Sequence, residues 1–480
     1  MFLERIVTQT QQDLVQRKQS LPQAELERRA AEQTEPRDLR AALQGHDRVR
    51  LIAEVKRASP SKGLLAPDLD PVATAQLYEA NGASAISVLT EPHFFLGSPE
   101  FLTNIKHAVN LPVLRKDFII DEYQVFEARS WGADAILLIC AILDDTQLRH
   151  LLQVATALHM RALVEVHSKE EAQRAIAAGA EIIGVNSRDL VTFKMNPYLI
   201  REIRTILPSD RVIVAESGIH TEADTRRLAR YDVQAMLVGE SLVVSPDIST
   251  QIHMLLHGAN ETTQVKICGL KTPEHVNTAI EAGADMLGFI FYKPSHRYIS
   301  PQQAVALLEA SQSYAQGTAG VAKPDLVGVF VNEDAAYINE VADQVGLNYI
   351  QLHGNESPEF CKQIKRPIIK AISLKSQDDL ALINEYTSVA WRILIDTPTP
   401  SWGGSGETND WELARLAAHE TKILLAGGLT AENVTEAIQS IRPWGVDVSS
   451  SIETNKEKDS EKICKFLISV RQEKKAIGNK

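Results

Sequence analysis

A chain of 480 residues is long for one domain and suits two of roughly 200–250 residues, each able to bury its own core. With 44% hydrophobic and 23% charged residues it has the profile of a soluble globular protein, and no apolar run approaches the roughly 18–20 residues of a membrane helix. The net charge of −12 speaks against nucleic acid or an anionic membrane as the main partner, while leaving room for a local basic pocket.

In chain order, residues 1–48 read as helices, with LERIVTQTQQDLVQRK first and PQAELERRAAEQ next, an extension placed to cap the bottom of a barrel or cover its mouth. This start lacks the apolar segment and cleavage site of a secretory signal. Short apolar runs alternating with amphipathic stretches follow, the sign of an α/β chain built from βα units on a parallel sheet. The first half offers strands at 51–56, 85–90, 112–118, 135–140, 161–166, 181–186, 211–217 and 235–240. The second half offers strands at 264–269, 285–291, 326–331, 349–354, 367–373, 392–396, 422–428 and 445–450. Asn81-Gly82-Ala83, Trp131-Gly132-Ala133, Ala178-Gly179-Ala180 and Ala282-Gly283-Ala284 each stand just before a strand, where Gly ends a helix in the left-handed conformation. A doubly wound open sheet shares this local pattern. Eight strands per half favour two tandem (β/α)8 barrels over residues 1–257 and 264–480, joined by a short linker at 258–263. The charged segment 455–462 reads as the start of a last helix.

Both halves end alike. Strand 211–217 runs into Ser217-Gly218 and strand 235–240 into Gly239-Glu240-Ser241; in the second half Gly427-Gly428 and Ser449-Ser450 stand at similar spacing. Glycine turns after strands seven and eight let the backbone approach an anion, as in barrel phosphate sites. Reactive side chains belong at strand C-termini in such folds. In the first half these are Glu54 and Lys56, Lys116, Glu165, Asn186, and Glu216 with Ser217. Carboxylates and lysines crowded on one rim spread their pKa values and make a proton donor and acceptor available together, although a purely structural ion-pair ring has the same composition.

LIAEVKRASPSKG (51–63), TEPHFFLGSPEFL (90–102), LRKDFIIDEYQ (114–124), LVEVHS, GVNSRDL, AESGI and VGES, in this order, resemble indole-3-glycerol phosphate synthase. The resemblance implies closure of an indole ring from 1-(2-carboxyphenylamino)-1-deoxyribulose 5-phosphate with loss of CO2 and water. It also implies two catalytic lysines, Lys116 and Lys56, one protonating the substrate carbonyl and one assisting departure of the hydroxyl, in an order the sequence leaves open, and a general acid/base at Glu165. Glu54, Asn186, Arg188, Glu216 and Ser217 would hold the substrate, Phe94 and Phe95 would wall its anthranilate ring, and Ser59, Gly218, Gly239 and Ser241 would cradle its phosphate.

In the second half Cys268 ends the first strand on the same face as Lys266. A thiol near a cation can act as a base, though a lone Cys is commonly a small buried hydrophobe. Asp396 ends the sixth strand, and a base and an acid on separate strands suit a proton shuttle across a sugar. Arg297, in SHRYIS, can pair with a substrate carboxylate or remain a loop charge.

VKICGL (265–270), DMLGFIFYKPSHRYISP (285–301), VGVFVN, YIQLHGNES, LIDTPTPSWGGSGETNDW (394–411), LLAGGL and GVDVSS resemble phosphoribosylanthranilate isomerase, a family that opens an aminoribose by an Amadori rearrangement. The resemblance implies Cys268 as general base, Asp396 as general acid, Arg297 on the anthranilate carboxylate, and His353 and Asp447 lining the pocket. Gly404, Gly406, Gly427, Gly428, Ser449 and Ser450 would hold the phosphate. Two positions depart from the family pattern: Ser451 stands where Gly is usual, and Asn409 where Phe is frequent. A positive φ at Ser451 would cost on the order of 1 kcal/mol and shift the phosphate turn.

The expectation is a bifunctional, cytoplasmic enzyme of tryptophan biosynthesis, taking small phosphosugar–anthranilate substrates as a monomer. Four cysteines without paired spacing fit a reducing compartment, and neither a metal nor another cofactor is implied. The rivals are tandem barrels for other aminosugar phosphates, and barrels that bind phosphate ligands without chemistry.

Overall fold

Every one of the sixteen apolar runs forms a strand, and each set of eight closes into a parallel barrel. The computed structural model describes residues 2–45, 48–60, 62–190, 192–317, 323–396 and 411–471. Contacts divide the chain into two units, Met1–Glu261 and Thr262–Lys480. Among the described residues, no helix is long and apolar enough to cross a membrane.

The first barrel comprises β1 (Arg50–Val55), β2 (Ala85–Leu89), β3 (Val113–Lys116), β4 (Ala135–Ile139), β5 (Arg161–Val166), β6 (Ile182–Asn186), β7 (Val212–Glu216) and β8 (Ala235–Val238). Neighbours in sequence are neighbours in space, and β8 closes on β1 with Ile52 opposite Leu237. One set of strand residues packs outward against the helices and the other fills the barrel, so the core has two concentric parts. On β3 this alternation turns Lys116 inward, while the buried Arg115 turns outward to pair with Asp117 at 2.9 Å. The four Gly-Ala turns behave as their sequence requires, with φ between 88° and 95° at Gly82, Gly132, Gly179 and Gly283.

The N-terminal extension does both of the jobs anticipated for it. Helix α1 (Phe2–Ser20) places Phe2, Leu3 and Ile6 over the mouth. Helix α2 (Gln23–Ala31) follows, and a third, α3 (Leu39–Leu43), buries Leu39 and Leu43. Its N-cap Asp38 accepts from Arg161 at the start of β5, which puts α3 at the bottom.

The helix Ile248–Asn260 runs through residues 258–260, so the segment expected to be a linker begins inside a helix. Gly258 serves packing here and not a turn. A Cβ on it would strike Thr225 and the Glu222 carbonyl, so its absence lets this helix lie close on Glu222–Ala229.

The second barrel comprises β9 (Gln264–Cys268), β10 (Met286–Ile290), β11 (Asp325–Phe330), β12 (Tyr349–Leu352), β13 (Ile368–Ser373), β14 (Arg392–Asp396), β15 (Ile423–Leu425) and β16 (Gly445–Val448). Its floor is aromatic. Tyr349 stacks on Trp391 at 4.2 Å, Trp391 meets Trp444 edge-on at 5.1 Å, and the Arg392 guanidinium lies 4.3 and 4.6 Å from the two indole rings. The segment 455–462 departs from its helical reading. Asn455 and Lys456 take φ of 53° and 68°, turning a small hairpin in which Glu453 opposes Lys458, and the last helix starts at Ser460.

Candidate active sites

The mouth of the first barrel gathers Glu54, Lys56, Ser59, Phe95, Lys116, Glu165, Asn186, Arg188, Glu216, Ser217, Gly218, Gly239 and Ser241 around one pocket. Lys116 is its hub. Its Nζ lies 3.3 Å from Glu216, 3.6 Å from Glu54 and 3.8 Å from Glu165. Lys56 Nζ lies 2.7 Å from the other oxygen of Glu54, so Glu54 bridges the two lysines.

Sequence makes room for this crowd in two places. A Cβ at Gly184, opposite Glu165 on β6, would fall on a Glu216 carboxylate oxygen; a Cβ at Gly239 would fall on Glu54.

Burial opposes every charge in the ring, yet the outcome differs by residue. Burial would lower Lys116, but Glu216, Glu54 and Glu165 outweigh it and hold the ammonium above its usual range. Burial would raise Glu54, but Lys56 and Lys116 keep it low. Glu165 is pulled down against burial by the His167 hydrogen bond and by Lys116. Glu216 is pushed up, first by burial and then by the Glu165 charge, with Lys116 opposing, and neither of its oxygens receives a well-aligned hydrogen bond. One of two adjacent carboxyls therefore tends to hold a proton while the other is ionised.

Two expected residues take different parts. Phe94 does not line the pocket: Glu91 gathers the N–H groups of His93, Phe94 and Phe95, which turns Phe95 inward and sends Phe94 against Phe2 at 5.4 Å. Ser241 lines the pocket but commits its hydroxyl proton to the Ile219 carbonyl at 2.8 Å. Ser59 is buried, and its hydroxyl has no hydrogen-bond partner among the described residues. Among residues not singled out from sequence, Phe118, Leu190 and Phe193 line the same pocket, and His167 stands 3.3 Å from Glu165.

The second pocket brings together Cys268, Arg297, His353, Asp396, Gly427, Gly428, Asp447, Ser449 and Ser450. Gly404 and Gly406, like Asn409, lie outside the described residues. Cys268 sits opposite Gly288, where a Cβ would press on its Sγ. Burial pushes the thiol up, and Lys266 pulls against it. The wholly buried Lys266 donates to Asp447 at 2.9 Å, and this attraction outweighs burial to hold the ammonium above its usual range. Asp396 is held 3.2 Å from His353 Nε2, while the Gln351 amide nitrogen lies 2.9 Å from Nδ1. With that donor at Nδ1 the ring proton is on Nε2, facing Asp396. Arg297 is not free: Nε and Nη2 grip both oxygens of Glu453 at 2.6 and 3.0 Å, leaving the Nη1–Nη2 edge for a ligand.

Ser451 does not adopt a positive φ, so the anticipated strain is absent. It lies in the 3-10 turn Ser450–Ile452, and its hydroxyl donates to the Leu429 carbonyl. That bond repeats Ser241 to Ile219 in the first barrel. The likeness extends to the backbone. Gly239 and Ser449 have (φ, ψ) of (−127°, −68°) and (−136°, −71°), and Ser217-Gly218 and Gly427-Gly428 all have φ between 62° and 81°.

Residues 3–255 match the indole-3-glycerol phosphate synthase family, and residues 265–469 match N-(5'-phosphoribosyl)anthranilate isomerase. A multifunctional tryptophan biosynthesis protein of Phycomyces blakesleeanus is 36% identical over 87% of this chain, which spans only 62% of that protein's length. The tryptophan biosynthesis protein TrpCF of Yersinia pestis is 36% identical over 87% of this chain and 83% of its own. An indole-3-glycerol phosphate synthase of Dehalococcoides mccartyi is 50% identical, covering 53% of this chain and 100% of its own. These matches do not favour barrels for other aminosugar phosphates. The chain belongs to the family of tryptophan biosynthesis proteins in which an indole-3-glycerol phosphate synthase domain is joined to an N-(5'-phosphoribosyl)anthranilate isomerase domain.

Proposed function

We propose that this chain catalyses two consecutive steps of tryptophan synthesis. The second barrel isomerises N-(5-phosphoribosyl)anthranilate to 1-(2-carboxyphenylamino)-1-deoxyribulose 5-phosphate, and the first converts that product to indole-3-glycerol phosphate. The observation that carries the reading is Lys116 ringed by three carboxylates at one barrel mouth, paired with a Cys268/Asp396 base–acid set at the other.

In the second barrel Asp396, oriented by His353, protonates the ribose ring oxygen as its C–O bond breaks. Cys268 removes the proton from the adjacent sugar carbon, with Lys266 favouring the thiolate. Arg297 presents its open edge to the anthranilate carboxylate, and the Gly427-Gly428 and Ser449-Ser450 turns hold the phosphate. Gly404 and Gly406 are assigned to the same phosphate.

In the first barrel Lys116 protonates the substrate carbonyl as the aromatic carbon attacks, CO2 leaves, and Lys56 assists loss of the hydroxyl as water. Glu165 moves protons between these steps. Glu54, Asn186, Arg188, Glu216 and Ser217 hold the substrate, Phe95 walls its ring, and Ser59, Gly218 and Gly239 receive the phosphate. The domains of this reading, expected at residues 1–257 and 264–480, correspond to the units Met1–Glu261 and Thr262–Lys480. A monomer suffices, since one chain supplies every group named, and the reducing cytoplasm suits four free cysteines.

The test is reciprocal inactivation. Cys268→Ala or Asp396→Asn should lower isomerisation by roughly a hundredfold or more and spare ring closure; Lys116→Ala should do the reverse. Separate assays with each substrate read both activities, and loss of both from either change would overturn the reading.

A further inference from the structure

The hairpin Glu453–Lys458 carries a buried cation that the catalytic scheme leaves unused. The Lys458 side chain is 2% exposed, although it lies in a segment with six charged residues among eight. A lysine so enclosed needs acceptors, and the structure supplies them from two directions. Its Nζ donates to the Ser449 carbonyl at 2.8 Å and the Ser449 hydroxyl at 3.2 Å, and to Glu453 Oε1 at 2.8 Å. Ser449 Oγ in turn donates to the Cys268 carbonyl at 3.1 Å. Glu453 grips Arg297 through its bidentate pair. One continuous set of hydrogen bonds thus runs from the backbone of Cys268, through the turn after β16, to the guanidinium of Arg297.

Resting on the functional reading above, we propose that Lys458 is a positioning residue that fixes both ends of the isomerase substrate: the phosphate turn directly through Ser449, and the carboxylate-binding Arg297 through Glu453. The charge balance supports this. Glu453 neutralises one of the two cations, so the cluster of Arg297, Lys458 and Glu453 keeps a net positive formal charge for a ligand with an anionic group at each end. The bond pattern supports it as well. Glu453 occupies the Nε–Nη2 edge, which orients the remaining edge of Arg297 and stops the side chain from swinging. Burial lowers Lys458, with Glu453 opposing, and Glu453 is held down at about 2 against burial by Arg297 and Lys458.

The two residues separate in a measurable way. Glu453→Gln weakens the carboxylate shared by Arg297 and Lys458 but leaves the Lys458 hydrogen bonds to Ser449 in place, so its effect falls on Arg297, whereas Lys458→Met loosens both ends. The full chain is assayed for isomerisation of N-(5-phosphoribosyl)anthranilate, with inorganic phosphate as a competitive inhibitor probing the phosphate turn alone. Glu453→Gln is expected to raise KM by about tenfold and leave the phosphate Ki within about twofold; Lys458→Met is expected to raise both by about tenfold, the size of one lost charge-assisted hydrogen bond. Thermal melting reports folding. If Lys458→Met does not fold, the split between KM and Ki in Glu453→Gln decides alone. Folded variants with unchanged KM and Ki overturn the proposal, as does a Glu453→Gln that raises both equally. A wild-type chain that does not isomerise this substrate overturns the functional reading itself, and this proposal with it.

Discussion

Glu216 shows how the first site trades stability for chemistry. Its carboxyl is pushed above its ordinary value by burial and by the neighbouring Glu165, with Lys116 opposing. A carboxyl raised in the folded state binds more protons there than in the unfolded chain, so its ionisation favours unfolding. Its destabilising effect starts near the ordinary value of about 4.5 and grows as pH rises into the neutral range. Glu216→Gln removes that ionisation. The variant should melt at a higher temperature than the wild type at pH 7, with the difference vanishing near pH 4, while ring closure falls by roughly tenfold or more. Calorimetry across that range, beside a ring-closure assay, checks both parts. The residue scale is also where sequence was least informative. Lys116, Glu165 and Cys268 were legible because each ends a strand, and alternation fixes the side on which it lies. Phe94 was misplaced because its direction depends on Glu91 collecting three N–H groups of the loop. Lys458 and Glu453 were invisible because a run of charges reads as solvated until a hairpin folds it inward.

At the scale of elements, the strands were legible almost to their ends, since each is a short apolar run, four of them set off by a Gly-Ala turn just before the strand. KILLAGG shows one source of overshoot: the apolar run extends to residue 428, whereas β15 stops at Leu425, ahead of two glycines that turn left-handed. The helix Ile248–Asn260 was cut short for a related reason, Gly258 being taken as a chain break when it is a contact. A Gly258→Val change should therefore cost about 1–3 kcal/mol through overpacking against Glu222–Ala229, and lower the melting temperature of the first barrel by several degrees. A tolerated valine would mean that this helix is free to move away. Helix α1 makes a separate prediction. Phe2 meets Phe94 and Phe193 at 5.4 and 5.6 Å over the pocket, each pair worth about 0.5–1.5 kcal/mol. Phe2→Ala should raise KM for ring closure several-fold with kcat little changed; a kcat loss without a KM change would refute a covering role.

At the scale of the whole molecule, each unit has a closed sheet, a core and a site of its own. Fragments 1–261 and 262–480 should accordingly fold separately, the first retaining ring closure and the second isomerisation, each within a few-fold of its rate in the full chain. Aggregation of either fragment would show that its barrel needs the other. The aromatic floor of the second barrel gives such experiments an optical handle. Of the five tryptophans only Trp131 belongs to the first unit, while Trp391 and Trp444 touch each other beneath a guanidinium in the second. Indole emission is therefore weighted toward one half of the chain, whereas far-ultraviolet circular dichroism samples both. A protein whose halves melt at different temperatures will show this as two spectroscopic curves that fail to superimpose, without any label having been attached.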